Sequence, residues 1–268
     1  MPSQRIFLPL LTLALSGCNS QPHPSPAPAI LASGLNTQTQ PMTLTPGQSM
    51  RVGGDSAALA TAEPATDKDS GAPFTRYRSG RHLIDTPLPD GYPAPTPPGA
   101  IDLKSYPAVR RAEIARTDNP DGTLFGLVGG RNAAFWPLFR HIQSRNIPMT
   151  SPVEMDVPVP TAEGTPAPVD DRWTMSFLYR TPNLGPTGPA DRGVIVRDIP
   201  PVTVLALGAS GSYDQTSIEP ALDTLRQWLA ANPAWIESGP PRALYYNDPF
   251  TSPKWAEVPV PVKPREAR

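Results

Sequence analysis

Two segments of the chain repeat their apolar residues at the period of an α-helix, residues 132–144 and residues 217–231. Within each segment, large apolar side chains recur three or four positions apart, so that they share one helical face. The first stripe consists of Phe135, Leu138, Phe139 and Ile142, and the second of Ile218, Leu222, Leu225 and Leu229. Thr216 and Glu219 form a capping box before the second stripe, and the Asn-Pro pair at Asn232 follows it. We therefore expect two amphipathic helices.

Runs of residues with strand character flank both helices. Four lie around the first helix and four around the second: 108–116, 124–129, 152–157, 173–180, 194–199, 203–209, 243–247 and 255–262. The fourth run alternates clearly, because its large side chains fall on one face of a pleated strand. These side chains are Trp173, Met175, Phe177 and Tyr179. The order strand, strand, helix, strand, strand therefore occurs twice.

This repeated order predicts an α+β fold built from two similar halves. Its simplest packing is a distorted, eight-stranded, mostly antiparallel β-barrel, with both helices on one side of the sheet. In such a fold the helices and the sheet enclose an apolar cleft, the usual kind of place for a flat hydrophobic ligand. We expect the domain to span residues 106–262, followed by a tail at residues 263–268.

The N-terminus has a different pattern. Arg5 precedes an apolar run at residues 6–15, which is too short to span a bilayer as a mature helix but matches a secretory signal peptide. The run ends in Leu-Ser-Gly-Cys, which resembles the lipobox of bacterial lipoproteins and places the chain's single cysteine at Cys18. We expect residues 1–17 to be a signal peptide and Cys18 to carry acyl chains such as palmitate. An ordinary signal peptide with a chance cysteine is the alternative.

Proline dominates the next part of the chain. Of the 268 residues, 39 are proline, and several cluster between residues 93 and 98. Large apolar residues are sparse in residues 18–105, so we expect a disordered tether, with residues 42–52 and 74–84 able to add short strands. The protein would then lie in the cell envelope, held to a membrane by its lipid and facing the periplasm or the exterior. The net charge of −1 does not suggest nucleic acid as a partner.

The motifs of the predicted domain resemble those of a known family. The first helix contains FWPLFRHI from Phe135, and NIPMTSPV follows from Asn146. These sequences resemble the elements F-x-x-L-x-x-Y-I and K-I-x-M-T-x-P-V of the SOUL haem-binding protein family, although His141 stands where the family usually has tyrosine. Further similar elements follow in the family's order: 173–179, 186–196, 208–211, 222–229 and 245–250. The resemblance covers about residues 105–262.

The resemblance implies the eight-stranded barrel with two helices, and it implies haem or another tetrapyrrole as the ligand. Haem iron takes His, Met, Cys or Tyr as axial donors, and His141 is the only histidine of the predicted domain. The candidate ligand-holding residues are Phe139, Arg140, His141, Arg145, Met149 and Met175. His141 is the candidate for the metal, and the two arginines are candidates for the propionates. Each candidate also has a plainer interpretation. His141 would be a partly exposed helix residue, the two methionines would pack in the core, and the two arginines would be solvated.

Two other functions stay open. The chain lacks the common motifs G-x-S-x-G, H-E-x-x-H and the P-loop. Glu154 and Glu257 nevertheless lie in predicted strands, and a carboxylate inside a cleft is a candidate general base. A small-molecule hydrolase of the gyrase-inhibitor-like fold, which the family's fold also resembles, is one alternative, although solvated strand faces are the plainer interpretation of both residues. The other alternative is a cell-surface module whose cleft is filled by its own side chains.

Overall fold

The computed structural model of the chain describes residues 30–31, 43–68, 70–117, 130–156, 172–211, 215–248 and 250–266. They include two α-helices, α1 (Gly130–Ser144) and α2 (Gln215–Ala231). The strands are β1 (Ile30–Leu31), β2 (Ser49–Gly54), β3 (Thr61–Thr66), β4 (Pro73–Ser79), β5 (His82–Ile84), β6 (Ala100–Tyr106), β7 (Val109–Arg116), β8 (Val153–Asp156), β9 (Trp173–Leu178), β10 (Gly188–Pro189), β11 (Ile195–Ile199), β12 (Val202–Ser210), β13 (Trp235–Glu237), β14 (Arg242–Tyr245) and β15 (Trp255–Pro264). The predicted signal peptide, Cys18 and the predicted strand 124–129 lie outside these residues.

Both predicted helices are confirmed. Each begins two residues before its predicted start and ends at its predicted last residue. Leu138 and Ile142 of α1 are buried, as are Leu222 and Leu225 of α2, so the apolar stripes face the core. The helices form because these stripes have a partner surface, since burial of an amphipathic face supplies most helical stability in proteins.

The strands of the two halves interleave in one sheet. Its order is β1-β2-β6-β12-β15-β14-β8-β9-β7-β11-β10, and β13 pairs with β15 off this path. Every pair along the order is antiparallel apart from β1 and β2. In the structure, β6, β7, α1, β8 and β9 form the first half, and β11, β12, α2, β14 and β15 form the second. The halves exchange their first strands, because β6 pairs with β12 and β11 pairs with β7.

The predicted eight-stranded barrel is wrong, whereas the α+β class, the two helices and the antiparallel sheet are confirmed. Eleven strands follow one another from β1 to β10, and these end strands do not pair among the described residues. Closing the eight strands of the two halves would require β6 to pair with β11. That edge of β6 is instead occupied by β2, and the matching edge of β11 is occupied by β10.

The predicted disordered tether is wrong for residues 43–105, of which the structure describes all but residue 69. This segment supplies β2 and β6 to the main sheet, and every residue of β6 is buried. It also forms a separate three-stranded antiparallel sheet in the order β3-β4-β5. Its prolines concentrate at residues 87–98, an irregular segment that crosses the main sheet. Because proline has no backbone N–H, this segment cannot form regular strand pairing. High proline content therefore marks an extended covering segment here, not a solvated chain.

Alternating side chains build a core on each face of the main sheet. On one face, Leu103 and Leu205 pack with residues of both helices. On the opposite face, Val204 and Trp255 pack with residues of the three-stranded sheet and with Tyr92 of the segment 87–98. The expected cleft between the helices and the sheet is thus occupied by core side chains, including the half-buried Trp228 of α2.

Candidate functional site

A groove of about 720 Å³ lies between the C-terminal end of α1 and the three-stranded sheet. This volume falls within the range of about 300–1,000 Å³ that is typical of small-molecule sites. The lining residues on the α1 side are Phe139, Ile142, Gln143, Asn146, Ile147, Pro148 and Met149. Those on the other side are Thr66, Asp67, Lys68, Ser70, Phe74, Asp85, Thr86 and Pro87. The groove therefore has one wall from the helix end and one from the three-stranded sheet.

The helix end supplies an apolar wall. Phe139 is half-buried, and its ring stacks on Phe135 with the centroids 5.7 Å apart. The chain turns after α1 at Asn146, whose φ of 54° is one that asparagine tolerates better than most residues. The amide of Ile147 then donates to the carbonyl of Ile142 at 2.9 Å, which closes the turn. This turn brings the apolar residues after the helix back beside its last residues.

The three-stranded sheet supplies a mostly polar wall. Asp67 and Lys68 lie in the turn between β3 and β4, and Asp85 follows β5 directly. The amide of Ser151, in the segment after α1, donates to the carbonyl of Pro87 at 2.9 Å. This bond links the two walls to each other. A ligand in the groove would meet aliphatic and aromatic carbon on one side and charged groups on the other.

His141 lies in the core and is not among the residues that line the groove. The residue is 4% exposed, and its Nε2 forms a 2.7 Å hydrogen bond with the Tyr179 hydroxyl. Its Nδ1 is buried and has no hydrogen-bond partner among the described residues. Burial, and then the nearby charge of Arg145, lower the pKa of His141. The interpretation as a partly exposed helix residue is therefore wrong, and the imidazole as placed does not face a ligand in the groove.

The other predicted site residues divide between the groove and elsewhere. Phe139 and Met149 line it. Met175 is a core residue of β9, 4% exposed and paired across the sheet with β8. Arg140 and Arg145 are exposed, and Arg145 lies 3.9 Å from an Asp191 carboxylate oxygen. The two arginines are therefore not placed to meet a ligand's acidic groups in this groove.

Glu257 is fully buried on the sheet face opposite the helices. Its carboxylate accepts hydrogen bonds from the Lys104 ammonium at 2.8 and 2.9 Å, and from the hydroxyls of Tyr246 at 2.8 Å and Tyr106 at 3.2 Å. The backbone amide of Thr96, in the segment 87–98, donates to it at 2.6 Å. Burial raises the pKa of both tyrosines well above its ordinary value. The interpretation of Glu257 as a solvated residue is wrong, and its oxygens are engaged on all sides.

Glu154 is also buried, at 8% exposure, and its Oε2 accepts from Arg111 at 3.0 Å and from Arg242 at 2.7 Å. Burial raises the pKa of Glu154 to about 7, against the opposing charge of Arg111. The cavity beside it has a volume of about 50 Å³, well below the roughly 300 Å³ at which small-molecule pockets begin. The interpretation of Glu154 as a residue of a solvated strand face is therefore wrong as well. The cavity beside Glu154 has no room for an organic substrate.

The sequence allowed short strands at residues 74–84, where β4 and β5 lie, because apolar residues are dense there. It did not predict that they form a wall of the groove, because residues 66–87 fall inside the predicted tether. Tyr77 and Ile84 from that stretch are 3% and 0% exposed, and they anchor the sheet to the body of the protein. Phe74, from the same stretch, lines the groove.

The described part of the chain holds neither a metal cluster nor a membrane-spanning helix. No group of three or more His, Cys, Asp and Glu side chains within it is arranged to hold a metal ion. Neither of its two helices combines the length and the apolar character needed to cross a membrane. Metal binding by His141 stays a prediction.

Comparison with known proteins identifies one family. The family model described as SOUL heme-binding protein matches residues 95–260, whereas no curated protein matches. Among solved structures, the EcmrR C-terminal domain is 15% identical over 62% of this chain and 98% of that chain, with a TM-score of 0.45. An uncharacterized conserved protein from Listeria innocua is 13% identical over 63% and 94%, with a TM-score of 0.43. A hydrolase from Listeria innocua is 12% identical over 63% and 94%, with a TM-score of 0.43. Because the family match spans more than half of its residues, the chain belongs to the SOUL haem-binding protein family.

Proposed function

We propose that this protein binds an amphipathic small molecule in the groove between α1 and the three-stranded sheet, and that haem or another tetrapyrrole is the ligand. The observation that carries the proposal is the groove itself, which has the volume of a small-molecule site in a chain of a binding family. The proposed role is sequestration or handling of the ligand, with no chemical turnover.

The groove residues fit the parts of a tetrapyrrole unequally. The apolar ring faces match the wall formed by Phe139, Ile147 and Met149. The carboxylates at the edge of the tetrapyrrole could pair with Lys68, the one cation among the described lining residues of the opposite wall. Among the described lining residues, Met149 is the only one whose side chain is of a type that ligates haem iron. Bound haem would supply an iron centre, and the groove residues would hold the ring and exclude water from its faces.

Binding explains the arrangement of the two candidate carboxylates better than hydrolysis does. A general base needs a lone pair within reach of the substrate's proton. Glu257 receives five hydrogen bonds, and Glu154 is held between two guanidinium groups. Both carboxylates therefore act in our account as structural partners of cations, Glu257 of Lys104 and Glu154 of two arginines.

We also propose that the protein is held to a membrane of the cell envelope through Cys18. This part of the proposal is supported by the sequence alone, in which a short apolar run ends at a lipobox-like tetrapeptide. Two or three acyl chains would make the attachment stable, since each buried CH2 contributes about 0.8 kcal/mol.

The binding proposal is tested by titrating the purified protein with hemin and following the Soret band. We expect a saturable shift, and we expect Phe139→Ala to weaken binding about tenfold, because an aromatic side chain in a ligand contact contributes about 1.5 kcal/mol or more. Phe250→Ala is the matched control, since Phe250 is 95% exposed and outside the groove. The absence of a saturable shift, or equal weakening by both variants, would contradict the proposal.

A further inference from the structure

More than half of the residues that line the groove precede the part of the chain that matches the family. The match begins at residue 95, whereas eight of the fifteen described lining residues lie between residues 66 and 87. We infer that the three-stranded sheet is the specificity-determining wall of the site, with Phe74 holding a planar ligand against Phe139 and Lys68 receiving its carboxylate. This inference rests on the proposed function, and it identifies the ligand class as a planar aromatic acid.

The wall is fixed in place before any ligand binds. The side-chain amide of Asn247 donates to the carbonyl of Leu83 at 2.6 Å, and Arg180 donates to the carbonyl of Pro73 at 2.8 Å. Ile84 is fully buried in the core on the second face of the main sheet. These bonds attach the central strand of the three-stranded sheet, β4, and its neighbour β5 to the main body. A preformed wall selects ligands by shape, because binding then requires no loss of conformational entropy to order the wall.

Phe74 gives this wall its aromatic surface. It lies in β4 opposite Ala65 of β3, and it is half-buried. It is the only aromatic residue among the described lining residues of the three-stranded sheet. Across the groove, Phe139 provides the aromatic surface of the helix end, and its ring stacks on that of Phe135. A planar ring system between the walls would gain contacts on both faces, and aromatic pairs add about 0.5–1.5 kcal/mol beyond the area that they bury.

The charges of the wall select the ligand's edge. Asp85 is paired with Arg76, whose Nη2 lies 2.7 Å from its Oδ1. The Asp67 carboxylate faces the amide of Ser70 at 3.5 Å within its own turn. Lys68 is exposed at the groove and has no ion-pair partner among the described residues. An ammonium that has no ion-pair partner among the described residues, at the rim of a groove with one apolar wall, matches an organic carboxylate on the edge of a flat molecule.

The test compares Phe74→Ala, Phe139→Ala and the control Phe250→Ala in hemin titrations of the folded protein, with circular dichroism to establish folding. We expect the first two variants to weaken binding about tenfold each, and the control to bind as the wild type does. Weakening by Phe139→Ala with unchanged binding by Phe74→Ala would overturn this inference and leave the proposed function standing. Absence of binding by the wild type would overturn the proposed function, and the inference with it.

Two further variants keep the inference falsifiable if Phe74→Ala does not fold. Phe74→Leu keeps an apolar side chain in the wall but removes the ring, and we expect it to weaken binding about threefold. Lys68→Gln should weaken hemin binding about fivefold and should leave binding of the dimethyl ester of the same porphyrin unchanged, since the ester has no carboxylate. Equal effects on the acid and the ester would contradict the role of Lys68.

Discussion

Replacing Lys104 with methionine removes the cation that faces the buried carboxylate of Glu257. Both side chains are 0% exposed, and the ammonium nitrogen lies 2.8 and 2.9 Å from the two carboxylate oxygens. Methionine has a similar length and volume, so the change tests charge pairing with little contribution from a cavity. The carboxylate would keep three donors, the hydroxyls of Tyr106 and Tyr246 and the amide of Thr96.

Removing one partner of a buried ion pair costs about 3–5 kcal/mol, because the remaining charge is left without compensation. The three remaining donors offset part of this cost, so we expect a loss of about 3 kcal/mol in the free energy of unfolding for Lys104→Met. Adding Glu257→Gln removes the uncompensated charge and keeps an acceptor for the tyrosines. We therefore expect the double variant to recover at least about 1 kcal/mol relative to Lys104→Met.

Equilibrium unfolding in urea, followed by tryptophan fluorescence, measures these differences. Trp255 reports on the region directly, because its indole N–H donates to the carbonyl of Thr96 at 2.7 Å. Lys263→Met, at an exposed position of β15, is the matched control and should change stability by less than about 0.5 kcal/mol. A loss below about 1 kcal/mol for Lys104→Met, or a double variant less stable than the single one, would refute the reasoning.

Three other predictions follow from particular contacts. Gly208→Ala would place a Cβ in a clash with the carbonyl oxygen of Pro97. We expect a loss of about 1–3 kcal/mol in the free energy of unfolding and faster hydrogen exchange in the segment that contains Pro97, and unchanged exchange would contradict this close packing. His141→Phe should cost about 1 kcal/mol at neutral pH through the lost bond to Tyr179. That cost should shrink as the pH falls below about 6.5. The pKa of His141 is lower in the folded protein than in the unfolded chain, so the unfolded chain takes up its proton first and the wild type loses stability there. A cost that does not change with pH would refute this. Cys18→Ser should abolish palmitate labelling and release the protein from membranes, and retention of either property would exclude Cys18 as the anchor.

The local elements were predictable because their signals are local. A stripe at helical spacing predicted α1 and α2, and alternation in the run 173–180 predicted β9. The large side chains of that run, at positions 173, 175, 177 and 179, all lie in the core on the helix-covered face. The open form of the sheet was not predictable in this way. It depends on β2, which overlaps the run 42–52 where the sequence allowed a short strand but did not indicate the partner, which is the edge of β6. Pairing between segments that are distant in sequence therefore determines that the sheet is open and not closed into a barrel.

The candidate site was predictable only on its helix side. Phe139 and Met149 follow from the helical stripe and the motif after it, and both line the groove. Its other wall depends on a long-range contact, made by residues that composition alone assigns to a tether. The partners of Glu257 show the same limit, because Lys104 lies 153 positions away in sequence. The hydrogen-bond partner of His141 likewise lies 38 positions away, at Tyr179 directly after β9.

The account's central claim is that a flat ligand lies in the groove, and amide chemical-shift mapping of isotope-labelled protein with a diamagnetic metalloporphyrin tests it most directly. We predict that the largest shifts occur at Phe139, Ile147 and Met149, together with Phe74 on the opposite wall. Shifts centred on Glu257 and the segment 87–98, with the groove residues unchanged, would contradict the claim.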